Sequence, residues 1–243
     1  MLSQMKEKSL WLLNKIHYWM VPSYCILCHA PAHRFLDLCV ECEHELPFLE
    51  QACYQCALPL KQTLFQTCGQ CLQKAPSYDR TIALFHYDFP INKLISDLKF
   101  HQRLRNASIL GKLFSEKLRA AYKDKPLPQY IIPVPLHKKR LRERGYNQAL
   151  ELARPISKTL NIPINNKLCE RVTHTLPQLK MDSAARRKNL KHAFSVSVHN
   201  ITHVAIIDDV MTTGSTVAEI SRVLKQHGVT QVDIWCVGRT ELG

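Results

Sequence analysis

The chain has 243 residues, 46% of them hydrophobic and 22% charged, which suits one domain of ordinary size plus a small appendage. No apolar run approaches the roughly 18 residues that spanning a bilayer needs, and the first twenty residues lack a small-residue cleavage site, so neither a membrane span nor a secretory signal is expected. The formal charge of +13 is uneven: Val134 to His192 holds 14 Lys and Arg against 4 Asp and Glu, whereas residues 1–75 balance at 6 and 6, so a polyanion such as nucleic acid, or a phosphate-dense ligand, suits the basic segment.

In chain order, Leu10, Trp11, Leu12, Leu13 and Ile16 recur at helical spacing, with Lys6, Lys8 and Lys15 around them. This predicts an amphipathic helix over residues 1–20, packed on its own domain or, less simply, lying on a partner or a membrane surface. Next come four Cys-x-x-Cys pairs: Cys25/Cys28, Cys39/Cys42, Cys53/Cys56 and Cys68/Cys71. Such a pair puts two sulfurs on one side of a tight turn, and two turns close a tetrahedral zinc site, so eight cysteines make two Zn²⁺ sites. Disulfides are the alternative, but without a secretion signal the thiols of a cytoplasmic chain stay reduced. Pairing in sequence and crossed pairing both satisfy the spacing; sequential pairing is the simpler expectation. His29, His33 and His44 are expected at the surface rather than as ligands. A module of about 50 residues buries little apolar surface, so the metals would supply much of its folding energy. The lone Cys169 and Cys236 fall in apolar runs and read as buried structural cysteines.

Beyond Pro76 strands and helices alternate, predicting an α/β domain over 76–243 with a parallel sheet, behind a double zinc ribbon over 21–75. Strands are expected at 81–87, 130–136, 168–172, 193–198, 203–207 and 229–237. Helices are expected at 91–100, 104–122, 147–160 and 215–227, with 137–146 a basic loop and 173–191 a long polar, basic one. Val204 to Ile207 reads as a buried strand ended by Asp208 and Asp209. Carboxylates at that end of a parallel strand can accept hydrogen bonds from the two vicinal hydroxyls of a ribose, or hold Mg²⁺. Thr212, Thr213, Gly214, Ser215 and Thr216 then form a hydroxyl-rich turn into a helix, an anion site suited to a sugar 5′-phosphate.

The run Val204–Thr216 resembles the signature of type I phosphoribosyltransferases. Together with Pro133-Val-Pro-Leu136, Arg142-Glu-Arg-Gly-Tyr-Asn-Gln148, Arg171 to Gln178, Arg186 to Asn189, Ala193-Phe194 and the cysteine pairs, it resembles the ComF (ComFC/GntX-like) competence family. The resemblance implies a double zinc ribbon before a type I phosphoribosyltransferase-like domain and a role in natural transformation, where single-stranded DNA enters the cytoplasm. By position it implies ribose contacts for Asp208 and Asp209 and phosphate contacts for Thr212 to Thr216. Lys138, Lys139, Arg140 and Arg144 become candidates for pyrophosphate or DNA, joined by Lys180, Arg186, Arg187 and Lys188 of the long loop. Mg²⁺ would accompany phosphoribosyl pyrophosphate, and competence proteins are possible partners. Tyr146, Tyr130 and Phe194 are candidate stacking platforms for DNA bases. The alternative is an active transferase moving ribose 5-phosphate to a nitrogen acceptor; no catalytic residue and no acceptor site stand out, and the DNA path and oligomeric state are not legible.

Overall fold

A computed structural model of the chain describes residues 23–60, 66–172, 193–198 and 200–241. The expected N-terminal helix over 1–20 and the loop 173–191, with Lys180, Arg186, Arg187 and Lys188, lie outside the described residues. The chain divides into two compact units, residues 1–46 and 47–243. No helix among the described residues is long and apolar enough to cross a membrane.

The smaller unit is built on its first two cysteine pairs. Cys25 and Cys28 flank a tight turn in which the His29 amide donates to the Cys25 carbonyl (3.0 Å) and the Cys25 amide to the Ala30 carbonyl (2.8 Å). Cys39 caps the short helix α1 (Val40–His44), its sulfur accepting from the Cys42 amide at 3.4 Å. Leu38, Ala32 and Leu46 supply the few buried aliphatic side chains, and Arg34 pairs with Glu43. A core this small leaves the metal as its main cross-link.

The larger unit opens with the same device. The Ala57 amide donates to the Cys53 carbonyl and the Cys53 amide to the Leu58 carbonyl, both at 2.8 Å. Cys68 precedes the short helix α2 (Gly69–Gln73). His29 and Ala57 take the corresponding left-handed position (φ 63° and 52°) after the second cysteine of each turn, so the cysteine grid is a repeat of structure as well as of spacing. Here, however, Cys53, Cys56, Cys68 and Cys71 share one hydrophobic core with Tyr78, Met211, Val217 and Cys236.

The sheet behind that core is four-stranded and wholly parallel: β1 (Arg80–His86), β6 (Gln231–Arg239), β5 (His203–Met211) and β2 (Tyr130–Pro133), in that spatial order. The continuous apolar runs of β5 and β6 are buried along nearly their whole length, as expected of strands covered on both faces. Helices α3 (Ile91–Phe100), α4 (Leu104–Ala121), α6 (Gln148–Leu160) and α7 (Ser215–Gln226) supply the apolar faces that the 3.6-residue period announces. Asn147 caps α6 by accepting from the Ala149 amide at 3.0 Å. Where α4 crosses α6, a Cβ on Gly111 would lie 2.3 Å from Pro155 Cγ, so the helices approach to a distance only glycine allows. At the N-terminal end of the central strands the buried Asp233 carboxylate accepts from the Tyr122 hydroxyl and lies 3.1 Å from His203 Nε2, and Trp235 Nε1 donates to Tyr122 at 3.1 Å.

Three expectations need correction. The segment 169–171 (β3) and the segment 194–196 (β4) pair with each other, antiparallel, and lie outside the parallel sheet. The basic segment expected as a loop forms a helix, α5 (Lys138–Arg144). Its Lys, Arg and Leu side chains are good helix formers, the His137 ring caps its start, and Gly145 (φ 85°) closes it. Finally, β5 does not stop at the two acids. It continues through Asp208 and Asp209 to Met211, because β6 runs alongside as far as Arg239.

Candidate functional site

The two cysteine groups meet the requirements of zinc. Cys25, Cys28, Cys39 and Cys42 form one cluster and Cys53, Cys56, Cys68 and Cys71 the other, the sulfurs of each all within 4.8 Å of one another. Pairing is therefore sequential. Zn–S bonds of about 2.3 Å at tetrahedral angles place sulfurs ~3.8 Å apart, and Cys28–Cys39 and Cys56–Cys68 stand at 3.7 and 3.6 Å. Backbone amides of Leu27, Cys42 and Cys68 donate to sulfurs at 3.2–3.4 Å, which stabilises thiolate charge.

The second candidate site lies at the C-terminal end of β5. The Asp209 side chain is buried, and Lys99, from the last turn of α3, meets its Oδ2 at 2.9 Å. Asp208 Oδ1 accepts from the Asp209 amide (2.9 Å) and Asp209 Oδ1 from the Val210 amide (2.7 Å); with Lys99 on Asp209 Oδ2, what these acids offer a ligand is the second lone pair that a carboxylate oxygen keeps beside one partner. Burial, and then the charge of Asp209, push Asp208 up to about 7. Arg144 lies within electrostatic reach of Asp209, and Arg171 within reach of both Asp208 and Arg140. Lys138 and Lys139 are exposed on α5, while Arg140 and Arg144 are half-buried. The structure thus brings Arg144 and Arg171 within reach of the acids, with Arg140 beside both arginines.

Beyond Met211 the chain turns through Thr212, Thr213 and Gly214 into α7. Gly214 has φ +71°, and a Cβ there would meet Met211 Cε at 2.6 Å and the Tyr78 hydroxyl at 3.2 Å, so the turn requires glycine. Thr213 Oγ1 and Ser215 Oγ lie 2.8 Å apart. The Ser215 amide donates to Thr213 Oγ1 at 3.4 Å, and the dipole at the start of α7 favours an anion at this point. Thr213, Gly214 and Ser215 also line a cleft of about 940 Å³ bounded by Tyr78, Cys71, Arg222 and Arg239.

Three residues of the site have roles that the sequence does not announce, although Arg171 opens one of the motifs named above. Lys99 sits in an ordinary amphipathic helix, and only the fold sets it on Asp209. Arg171 stands in a short strand, and its position between Arg140 and Asp208 is visible only in the folded chain. Arg239, buried at the end of β6, donates from Nε to the Cys56 carbonyl (2.8 Å) and from Nη1 to the carbonyls of Met211 (3.1 Å), Thr212 (2.6 Å) and Thr240 (2.8 Å). It ties the phosphate turn to the second cysteine turn. Of the candidate stacking platforms, Phe194 is buried beneath Arg171. Tyr130 lies at the start of β2, beside the start of β5. The Tyr146 hydroxyl donates to the Leu98 carbonyl.

The chain is similar to several known proteins. Residues 16–72 match the double zinc ribbon domain family. Competence protein F of Haemophilus influenzae is 37% identical over 222 residues, 88% of this chain and 96% of that protein. DNA utilization protein YhgH of Escherichia coli O157:H7 is 37% identical over 224 residues, 90% of this chain and 98% of that protein. Among solved structures, hypoxanthine phosphoribosyltransferase from Trypanosoma cruzi is similar over 55% of this chain and 64% of that chain, at 15% identity and a TM-score of 0.35. In this chain a double zinc ribbon stands ahead of a parallel-sheet α/β domain, and with more than a third of its residues shared along almost the whole length of these relatives, it belongs to the competence protein F and DNA utilization protein YhgH family.

Proposed function

We propose that this protein serves DNA uptake and utilisation, binding phosphoribosyl pyrophosphate at the end of β5 and single-stranded DNA along the basic surface beside it. The observation that carries the reading is the juxtaposition of Asp208 and Asp209 with the Thr212–Thr216 turn, two carboxylates for ribose hydroxyls next to an anion site for the 5′-phosphate. The names of the relatives place them in competence and DNA utilisation, which favours a role in handling DNA over nucleotide salvage. Functionally, residues 1–20 would be a flanking helix, 21–75 the zinc ribbons and 76–243 the ligand-binding domain.

In this reading the Asp208 and Asp209 carboxylates accept the ribose hydroxyls. Thr212, Thr213, Gly214, Ser215 and Thr216 hold the 5′-phosphate with hydroxyls and amides, and Arg140, Arg144 and Arg171 face the pyrophosphate, with Lys138 and Lys139 nearer solvent. The all-oxygen donors of the two acids suit Mg²⁺, which would offset pyrophosphate charge when bound with the ligand. Lys99 holds Asp209 in place before the ligand arrives. Calorimetric titration with phosphoribosyl pyrophosphate and Mg²⁺ tests the assignment. The wild type is expected to bind, and Asp208→Ala/Asp209→Ala to lose at least about tenfold in affinity, the equivalent of ~1.4 kcal/mol for two charge-assisted hydrogen bonds. Equal affinity in the double variant would refute the role of the acids.

The raised Asp208 value predicts a pH dependence. Its protonated form is favoured in the folded chain, so its contribution to stability is full below the ordinary carboxylate range and is lost as pH rises toward about 7. Ligand binding runs the other way, since the ionised carboxylate is the better acceptor for hydroxyls. Affinity should climb between pH 6 and about 7 and level off above it, and Asp208→Asn should flatten the rise. A wild-type profile as flat as that of the variant would exclude Asp208 from the contact.

A further inference from the structure

The proposed site lacks an evident place for a base, and the last turn of α3 offers one. One contact ties this turn to the acids and two tie it to Tyr146 and Arg144. Lys99 Nζ meets Asp209 Oδ2 at 2.9 Å, the Leu98 carbonyl accepts from the Tyr146 hydroxyl, and the Arg144 guanidinium stands 5.6 Å from the centre of the Phe100 ring. Phe100 itself is 70% exposed. Its neighbours Ile95 and Leu98 are fully buried, so the backbone that presents it is anchored. An aromatic ring left open at the end of a rigid helix, one residue from the cation on the ribose acids, does not serve packing.

We propose that Phe100, with Arg144 beside it, is a stacking platform for a nucleobase held next to the ribose-phosphate site. Every nucleobase has a flat π-face that stacks on an aromatic ring, and a guanidinium beside the ring adds a cation–π component. The ring chemistry is common to a free base and to a base of single-stranded DNA; the platform accepts either source. The inference rests on the reading of the β5 end as a ribose site for its meaning, but its test stands apart from that reading. The other aromatics near the basic surface do not compete. Phe194 is buried, Tyr130 stands at the start of β2 at the opposite end of the strands from the acids, and Tyr146 is partly buried with its hydroxyl fixed on the Leu98 carbonyl.

The test uses the full zinc-loaded chain and two variants, Phe100→Ala and Phe100→Trp. Anisotropy is read with a labelled oligothymidylate and with an abasic oligomer of the same length, and calorimetry with free adenine, guanine and uracil in the presence of phosphoribosyl pyrophosphate and Mg²⁺. Phe100→Ala should weaken the oligothymidylate or the free bases by about tenfold, as expected for one lost stacking contact. It should leave the abasic oligomer and phosphoribosyl pyrophosphate itself unchanged, and Phe100→Trp should restore binding. Loss confined to the oligomer assigns the platform to DNA, and loss confined to free bases assigns it to a small acceptor. Equal affinity of wild type and Phe100→Ala for all ring-bearing probes, or equal loss on the abasic oligomer, would overturn the proposal. Failure of the ribose reading would appear separately, as absent phosphoribosyl pyrophosphate binding in the wild type.

Discussion

Removing zinc from the second cluster is expected to unfold much of the larger unit, whereas removing it from the first should disturb only residues 23–46. The two clusters have the same ligands and the same turn, but their surroundings differ. Cys53, Cys56, Cys68 and Cys71 are all buried in the core that also holds Tyr78, Met211, Val217 and Cys236. Cys28 of the first cluster is exposed. Structural zinc is worth on the order of 10 kcal/mol in small metal-folded modules, which is comparable to the whole stability of a typical domain. Cys56→Ser should leave one zinc per chain and lower the melting temperature of the larger unit by about 10 °C or more, corresponding to a loss of at least ~3 kcal/mol. Cys28→Ser should also leave one zinc, with that melting transition nearly unmoved. Metal analysis with hydrogen exchange across residues 47–241 separates the cases; equal protection of the phosphate turn in both variants would show that the second metal does not support it.

Arg239→Met is expected to weaken the fold and the anion site together. The guanidinium satisfies four backbone carbonyls, at Cys56, Met211, Thr212 and Thr240. Methionine fills much of the same volume but donates nothing, so the Cys56, Thr212 and Thr240 carbonyls lose this donor and the Met211 carbonyl is left with the Thr240 amide. Breaking such a charge-assisted group costs about 3–5 kcal/mol. The zinc-loaded cluster carries four thiolates against one Zn²⁺ and is therefore negative, which favours the buried Arg239 cation whose Nε lies on a ligand's own carbonyl. Arg239→Met and loss of the second zinc should consequently be less than additive. Urea unfolding reads the stability, and titration with inorganic phosphate reads the turn at Thr212–Thr216. Wild-type phosphate affinity in a destabilised Arg239→Met would mean that the arginine supports the core but not the turn.

The division between what was legible and what was not follows the range of the forces involved. The cysteine turns, the helix faces and the Val204–Thr216 run are local. A Cys-x-x-Cys spacing brings two sulfurs to one turn, an apolar period of 3.6 gives a helix its buried face, and a glycine between hydroxyl residues permits one tight turn into a helix. Helix limits such as Ile91–Phe100 and the start of α6 at Asn147 were accordingly readable to within a residue. Short apolar runs were less informative. β3 and β4 have strand composition, but nothing in three residues says whether they join the parallel sheet or pair with each other. The end of β5 is not legible locally, because its last four residues are held by β6, a partner some thirty residues away in sequence.

What the sequence by itself determined is the chemistry at hand: two zinc sites, two adjacent acids, a hydroxyl-rich anion turn and an excess of basic side chains in one segment. Only the tertiary structure decided which of these meet. It paired the cysteines in order and placed the second cluster in the core of the sheet domain. It drew Arg239 from the far end of β6 to tie that cluster to the phosphate turn, and it laid the end of α3 beside Asp209 so that Lys99 is paired and Phe100 is open. The physical reason is that a side chain's type and its immediate neighbours are written in the chain, whereas burial and charge partners arise from contacts between segments far apart in it.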